Sequence, residues 1–168
     1  MLKMIELPYP LNALEPYYSR ETLDLHYNIL YKGYVDNTNN TQESLRRARE
    51  IRDFLNIKCL EKNLSFFGSG AILHELFFEN MGQVIGARPS SSLMEQIVKD
   101  FGSFENFKAQ FEEAALNVEA SRVVFISMDS KMEQIRNTSM RKTPRFNTMG
   151  MQANISTRHV GTLLLPAI

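Results

Sequence analysis

Three histidines, His26, His74 and His159, are the side chains of this chain best suited to hold a metal ion or to exchange a proton near neutral pH. Imidazole nitrogen binds manganese, iron, zinc or copper, and helical bundles build such sites from inward side chains on neighbouring helices. His26 and His74 both fall on the apolar faces of predicted helices, so the two can meet inside a core. Two ligands hold an ion weakly, and a third and fourth, one of them a carboxylate, would be required. The competing reading makes each a core histidine whose ring nitrogens are satisfied by ordinary hydrogen bonds. His159 lies in a stretch of little apolar periodicity and reads as a surface residue.

The elements that must position these residues are legible from spacing. LPYPLNALEPYYS carries Pro8, Pro10 and Pro16, which bias the backbone toward extended conformations, and reads as an ordered arm. Ser19 stands where a helix N-cap belongs, with Glu21 and Asp24 favourably placed in the first turns. Leu23, His26, Tyr27, Leu30 and Tyr34 then recur at intervals of three and four, the spacing of one helix face. The Asn-rich VDNTNNT is expected to break the helix or turn toward solvent. Beyond it, QESLRRAREIRDFLNIKCLEK places Leu45, Ile51, Phe54, Leu55 and Cys59 on one stripe of a second, antiparallel helix. FFGSGAILHELFFENM sets Ala71, His74, Phe78 and Met81 on one face of a third helix that begins at glycines.

GQVIGARPSSS has the composition of a linker. After it, SSLMEQIVKDFG and SFENFKAQFEEAALNVEA are two amphipathic helices divided at Gly102 and Ser103, with Ser103 an N-cap. VVFISM, a turn at Asp129 and Ser130, KMEQIR and a distant LLLPAI are the β-like runs, which predicts a small antiparallel sheet. The expected class is therefore α+β: an N-terminal antiparallel helical hairpin or bundle over residues 1–84, then a helical lobe with a small antiparallel sheet over 90–168.

Composition sets the outer limits. With 168 residues, 43% apolar and 23% charged, the chain can fold as one domain or two small lobes, and it is neither a disordered polyelectrolyte nor a membrane protein in type. Nineteen Lys and Arg balance nineteen Asp and Glu, so no overall field draws it to nucleic acid or acidic lipid. From Ser130 onward six Lys or Arg face one Glu, without the interleaved aromatics of a nucleic-acid surface. The single cysteine, Cys59, and an opening too interrupted for a secretory signal lead to a cytoplasmic expectation.

LPYPLNALEPYYSRETLDLHYNILYKGYVDN resembles the amino-terminal signature of the iron/manganese superoxide dismutases. GAILHELFFENM is similar to the second ligand-bearing helix of that family, and KDFGSFENFKAQFEEAAL to its later helix that begins Phe-Gly-Ser-Phe. The resemblance spans Ile5 to Ser121. It implies that His26 and His74 are two metal ligands and that Tyr34 is the tyrosine guarding the substrate channel and helping to deliver protons. It implies one manganese or iron ion, superoxide as substrate and assembly as a homodimer. Gly70 resembles the manganese type, since the iron type usually has glutamine there.

The same resemblance exposes departures. The family draws its remaining ligands from an Asp-x-Trp-Glu-His-x-Tyr motif that has no counterpart here, and the chain contains no Trp. LLLPAI resembles the strand just before that motif, so the closing elements and half the coordination sphere are expected to be missing. Leu30 replaces a family histidine, and Ala120, Ser121, Arg122 and Val123 replace Gly-Ser-Gly-Trp. Two functions follow: a dismutase by descent whose activity is in question, or a noncatalytic structural or interaction protein on the dismutase scaffold, with its basic tail meeting an anionic partner.

Overall fold

A computed structural model describes residues 1–82, 88–117, 122–129 and 134–141. The chain divides into two compact units, one holding the described residues up to 82 and the other those from 88 onward.

The first unit opens with the arm, which lies on the helices it precedes. Leu2 is clamped by Asn39, whose Oδ1 accepts from Leu2 N–H at 2.7 Å and whose Nδ2 donates to Leu2 C=O at 2.9 Å. Ile5 N–H donates to the Tyr31 hydroxyl at 3.2 Å, the Tyr27 hydroxyl donates to Ile5 C=O, and the Tyr9 hydroxyl donates to Phe78 C=O at 2.9 Å. Arm backbone groups at Leu2 and Ile5, which lie in no helix or ladder, are thus satisfied by side chains.

Helix α1 (Arg20–Asp24) begins at Ser19, whose hydroxyl accepts from Thr22 N–H as an N-cap. It runs directly into a π-helical segment, Leu25–Tyr31, and then α2, Lys32–Ile51. The Lys32 N–H reaches back to Tyr27 C=O, five residues earlier. The regular α-helical spacing expected from Leu23 to Tyr34 is thus interrupted by a wider turn. Wider turns also shift the inward face by one position: Tyr31 is fully buried, whereas Leu30 is 54% exposed.

VDNTNNT does not interrupt α2. Thr38 and Thr41 donate to the carbonyls of Tyr34 and Asn37, and Asn37 donates to Gly33 C=O, each four residues back. With the Asn39 amide engaged by the arm, the polar run is absorbed within and beside the helix. The break comes instead at the hairpin tip. Arg52 adopts a left-handed φ of 54° and closes the helix with N–H bonds to Ala48 and Arg49 C=O. The Asp53 carboxylate then accepts from Leu55 N–H at 3.1 Å, a local turn that competes with helix. The stripe expected from Leu45 to Cys59 therefore splits: Leu45 is buried, but Ile51, Phe54, Leu55 and Cys59 are exposed.

Helix α3, Ile57–Glu79, returns along α2, so two long helices stand where three were expected. Its glycines lie mid-helix rather than at its start. Leu14, Leu23, Tyr31, Val35, Ala71 and Phe78 form the core, with Met81 packed against it. Each fully buried large side chain contributes about 1.5–3 kcal/mol.

In the second unit, α4 (Ser91–Phe101) and α5 (Phe104–Leu116) meet at Gly102, whose φ of 81° suits glycine, and Ser103 caps α5 by accepting from Asn106 N–H. Ile97, Phe107, Phe111 and Val124 form its core. Strand β1 (Arg122–Asp129) pairs antiparallel with β2 (Gln134–Arg141), from Arg122 opposite Arg141 to Asp129 opposite Gln134. The second strand thus begins three residues later than KMEQIR and continues through Asn137–Arg141, because ladder bonds are made by backbone and do not need an apolar pattern. Ser130, Ala120, His159 and LLLPAI lie outside the described residues. Among the described residues no helix is long and apolar enough to cross a membrane.

Candidate metal centre

His26 projects from the π-helical segment and His74 from α3, and their ring centroids lie 5.0 Å apart with the planes at 88°. Tyr34, on α2, lies 4.9 Å from the His74 ring, tilted by 33°. Residues far apart in sequence are thus gathered around one imidazole. That imidazole is buried at 6% exposure, while His26 and Tyr34 are half-buried.

Aromatic rings hold the group in place. Phe77 and Phe78 flank His26 at 4.9 and 5.4 Å, and Tyr31 stacks almost parallel to His74 at 6.1 Å. Phe66 and Phe67 stand 5.9 and 6.4 Å from Tyr34. The part played by Tyr31 was not legible, since the helical spacing put Leu30 on the inward face. Its bulk, between two other tyrosines, is the signal that could have pointed to it.

The orientation of His74 has a specific cause. Its Nδ1 lies 2.6 Å from the Gly70 carbonyl, which can only accept, so Nδ1 carries the proton and Nε2 the lone pair of the neutral ring. Ligand histidines are commonly oriented in this way, with the other nitrogen donating to a backbone carbonyl. Gly70 also faces the Tyr34 ring: a Cβ at that position would fall 2.5 Å from Tyr34 Cε1.

Burial sets the protonation of the surrounding wall. Desolvation raises the Tyr31 phenol, partly offset by the Ile5 N–H bond, with Glu75, Tyr27 and Glu79 adding repulsion. Tyr27 is raised by burial and then by Glu6, and the Glu75 carboxyl by burial and then by Glu79. Tyr27 and Tyr31 are therefore neutral hydroxyls at physiological pH.

Two imidazoles at right angles and 5.0 Å between centroids fit a common ion, given metal–nitrogen distances of about 2 Å. Among the described residues no group of three or more His, Cys, Asp or Glu forms a possible metal site. The donors described are thus two imidazole nitrogens, a set that suits a first-row transition metal.

Comparison with known proteins gives the same direction. The alpha-hairpin domain of the iron/manganese superoxide dismutases matches residues 2–82, and the C-terminal domain of the same family matches residues 89–156. A superoxide dismutase (Fe) of Methanothermobacter thermautotrophicus is 46% identical over 118 residues, 69% of this chain and 58% of that protein. A superoxide dismutase (Mn/Fe) of Propionibacterium freudenreichii subsp. shermanii is 43% identical over 118 residues, 69% of this chain and 59% of its own length. Superoxide dismutase (Mn) 2 of Haloferax volcanii is 38% identical over 136 residues, 81% of this chain and 67% of that protein.

Proposed function

Since the chain belongs to the iron/manganese superoxide dismutase family, we propose that it binds one iron or manganese ion through His26 and His74 and serves the dismutation of superoxide to oxygen and hydrogen peroxide. The observation that carries this reading is the convergence of the two imidazoles, with the proton of His74 committed to Gly70. The chain spans about three-fifths of the length of its Methanothermobacter thermautotrophicus and Propionibacterium relatives.

When bound, the ion supplies one-electron oxidation and reduction of superoxide in alternate turns. The chain supplies the rest. His74 presents Nε2 because Gly70 holds Nδ1–H, and His26 approaches it edge-on, which presets the angle between donors. Tyr34, half-buried beside His74, offers a hydroxyl at the rim where each peroxide must gain two protons. Phe77, Phe78 and Tyr31 keep water from the back of the rings.

Gly70 supports manganese through its resemblance to the manganese type, and the Tyr34 ring fills the place that a side chain there would take. Exposed Leu25, Ile29 and Leu30, on the segment that carries His26, support a homodimer. The division into domains at residues 1–84 and 90–168, and a cytoplasmic setting with its single thiol, belong to the same proposal.

Metal analysis of the purified chain tests the reading: close to one equivalent of manganese or iron is expected, with dismutase activity that follows metal content and loss of both on His74→Ala. A second reading, a noncatalytic scaffold, is favoured by the two-donor set among the described residues. It requires a metal-free protein that keeps its fold without the ion.

A further inference from the structure

We infer that Gly70 is the positioning residue of this site: its missing side chain makes room for the Tyr34 ring against α3, while its carbonyl fixes the His74 ring. The functional meaning of this inference rests on the metal-site reading, but its geometry does not.

Helix α3 provides its own control. Gly68 and Gly70 are two residues apart in the helix interior, where glycine is less favourable than alanine. A Cβ on Gly68 would meet nothing within 4 Å. On Gly70 the three nearest atoms would all belong to the Tyr34 ring, with Cγ at 2.9 Å, Cε1 at 2.5 Å and Cδ1 closer still. Contact with Cγ matters because it is the root of the ring. Moving the tip does not relieve it, so the whole ring must rotate away from its place beside His74. Phe66, Phe67 and His74 border that place, which makes the present rotamer the packed one.

The Gly70 carbonyl is indifferent to a side chain, so its bond to His74 Nδ1 survives substitution. One methyl group at position 70 would therefore separate two properties that the native residue joins. Tyr34 would leave the imidazole, and the imidazole would keep its tautomer and direction.

The test compares Gly68→Ala, Gly70→Ala, Tyr34→Ala and the Gly70→Ala/Tyr34→Ala double variant in the full chain, by thermal melting and by NMR of the Tyr34 ring and His74 imidazole. Gly68→Ala should raise the melting temperature and leave those resonances in place. Gly70→Ala should lower it in the native background and raise it in the Tyr34→Ala background, shifting the Tyr34 ring signals while the His74 Nδ1–H signal persists. If Gly70→Ala fails to fold, recovery in the double variant supports the inference equally. An equal loss in both backgrounds, failure of both variants to fold, or a Gly70→Ala protein indistinguishable from Gly68→Ala overturns it. Binding of Mn(II) by the unaltered chain reports only on the metal reading, so failure there leaves the melts to decide this inference.

Discussion

The two ends of the helical hairpin are built from the same pair of helices yet are held by different forces. At one end, rings from α2, α3 and the π-helical segment close around His74, and Tyr31 and Phe78 are fully buried. Toward the tip, Ile51 and Leu55 are 73% and 91% exposed, and surface ion pairs join Glu43 to Arg46 and Arg47, and Arg46 to Glu50. Packing is dense around the two imidazoles and loose at the tip. The site is thus a by-product of the core, and a change that loosens the core should disturb both.

The largest contrast should come from truncating one apolar side chain at each end. Phe78→Ala, at zero exposure, should lower unfolding free energy by about 3–5 kcal/mol in a urea titration. Leu55→Ala at the tip should stay within about 0.5 kcal/mol. Equal losses would mean that the tip is covered in solution. Next in size is the cap that starts the ring end: Ser19→Ala removes the acceptor for Thr22 N–H and should cost about 1 kcal/mol by the same measurement.

Smaller effects separate the ends by pH. Burial pushes the Tyr9 phenol up to about 12, and its hydroxyl holds Phe78 C=O. A phenol raised on folding favours the folded chain below its unfolded value near 10, and that contribution is lost as pH rises through about 12. Melts between those limits should fall more steeply for the native chain than for Tyr9→Phe. At the tip, Arg46 and then Arg47 hold the Glu43 carboxylate down to about 2. Its contribution is present above the ordinary carboxylate range and lost as pH falls through about 2. Because these ion pairs lie at the surface, added salt should erase most of the difference between native and Glu43→Gln proteins.

The same contrast explains what could be read from sequence. Ser19, Ser103 and Gly102 act through their immediate neighbours, so spacing alone placed the starts of α1 and α5 and the turn between α4 and α5. Ala71, His74 and Phe78 declared one face because α3 is regular there. The π-helical segment was hidden, since five-residue bonding leaves no compositional mark and exchanged Leu30 for Tyr31 on the inward face. The continuity of α2 was hidden too, because the Asn39 amide is engaged by Leu2, a partner 37 residues away that local pattern cannot supply. At the tip, Asp53 ends a run whose apolar spacing continues past it.

The most direct measurement of the site itself is a titration of metal-free protein with Mn(II), followed by NMR of the histidine imidazoles. If the two rings share one ion as proposed, the His26 and His74 signals should broaden together and to similar extents, reaching completion near one equivalent. Broadening of only one of them, or of neither at that ratio, would contradict a shared centre.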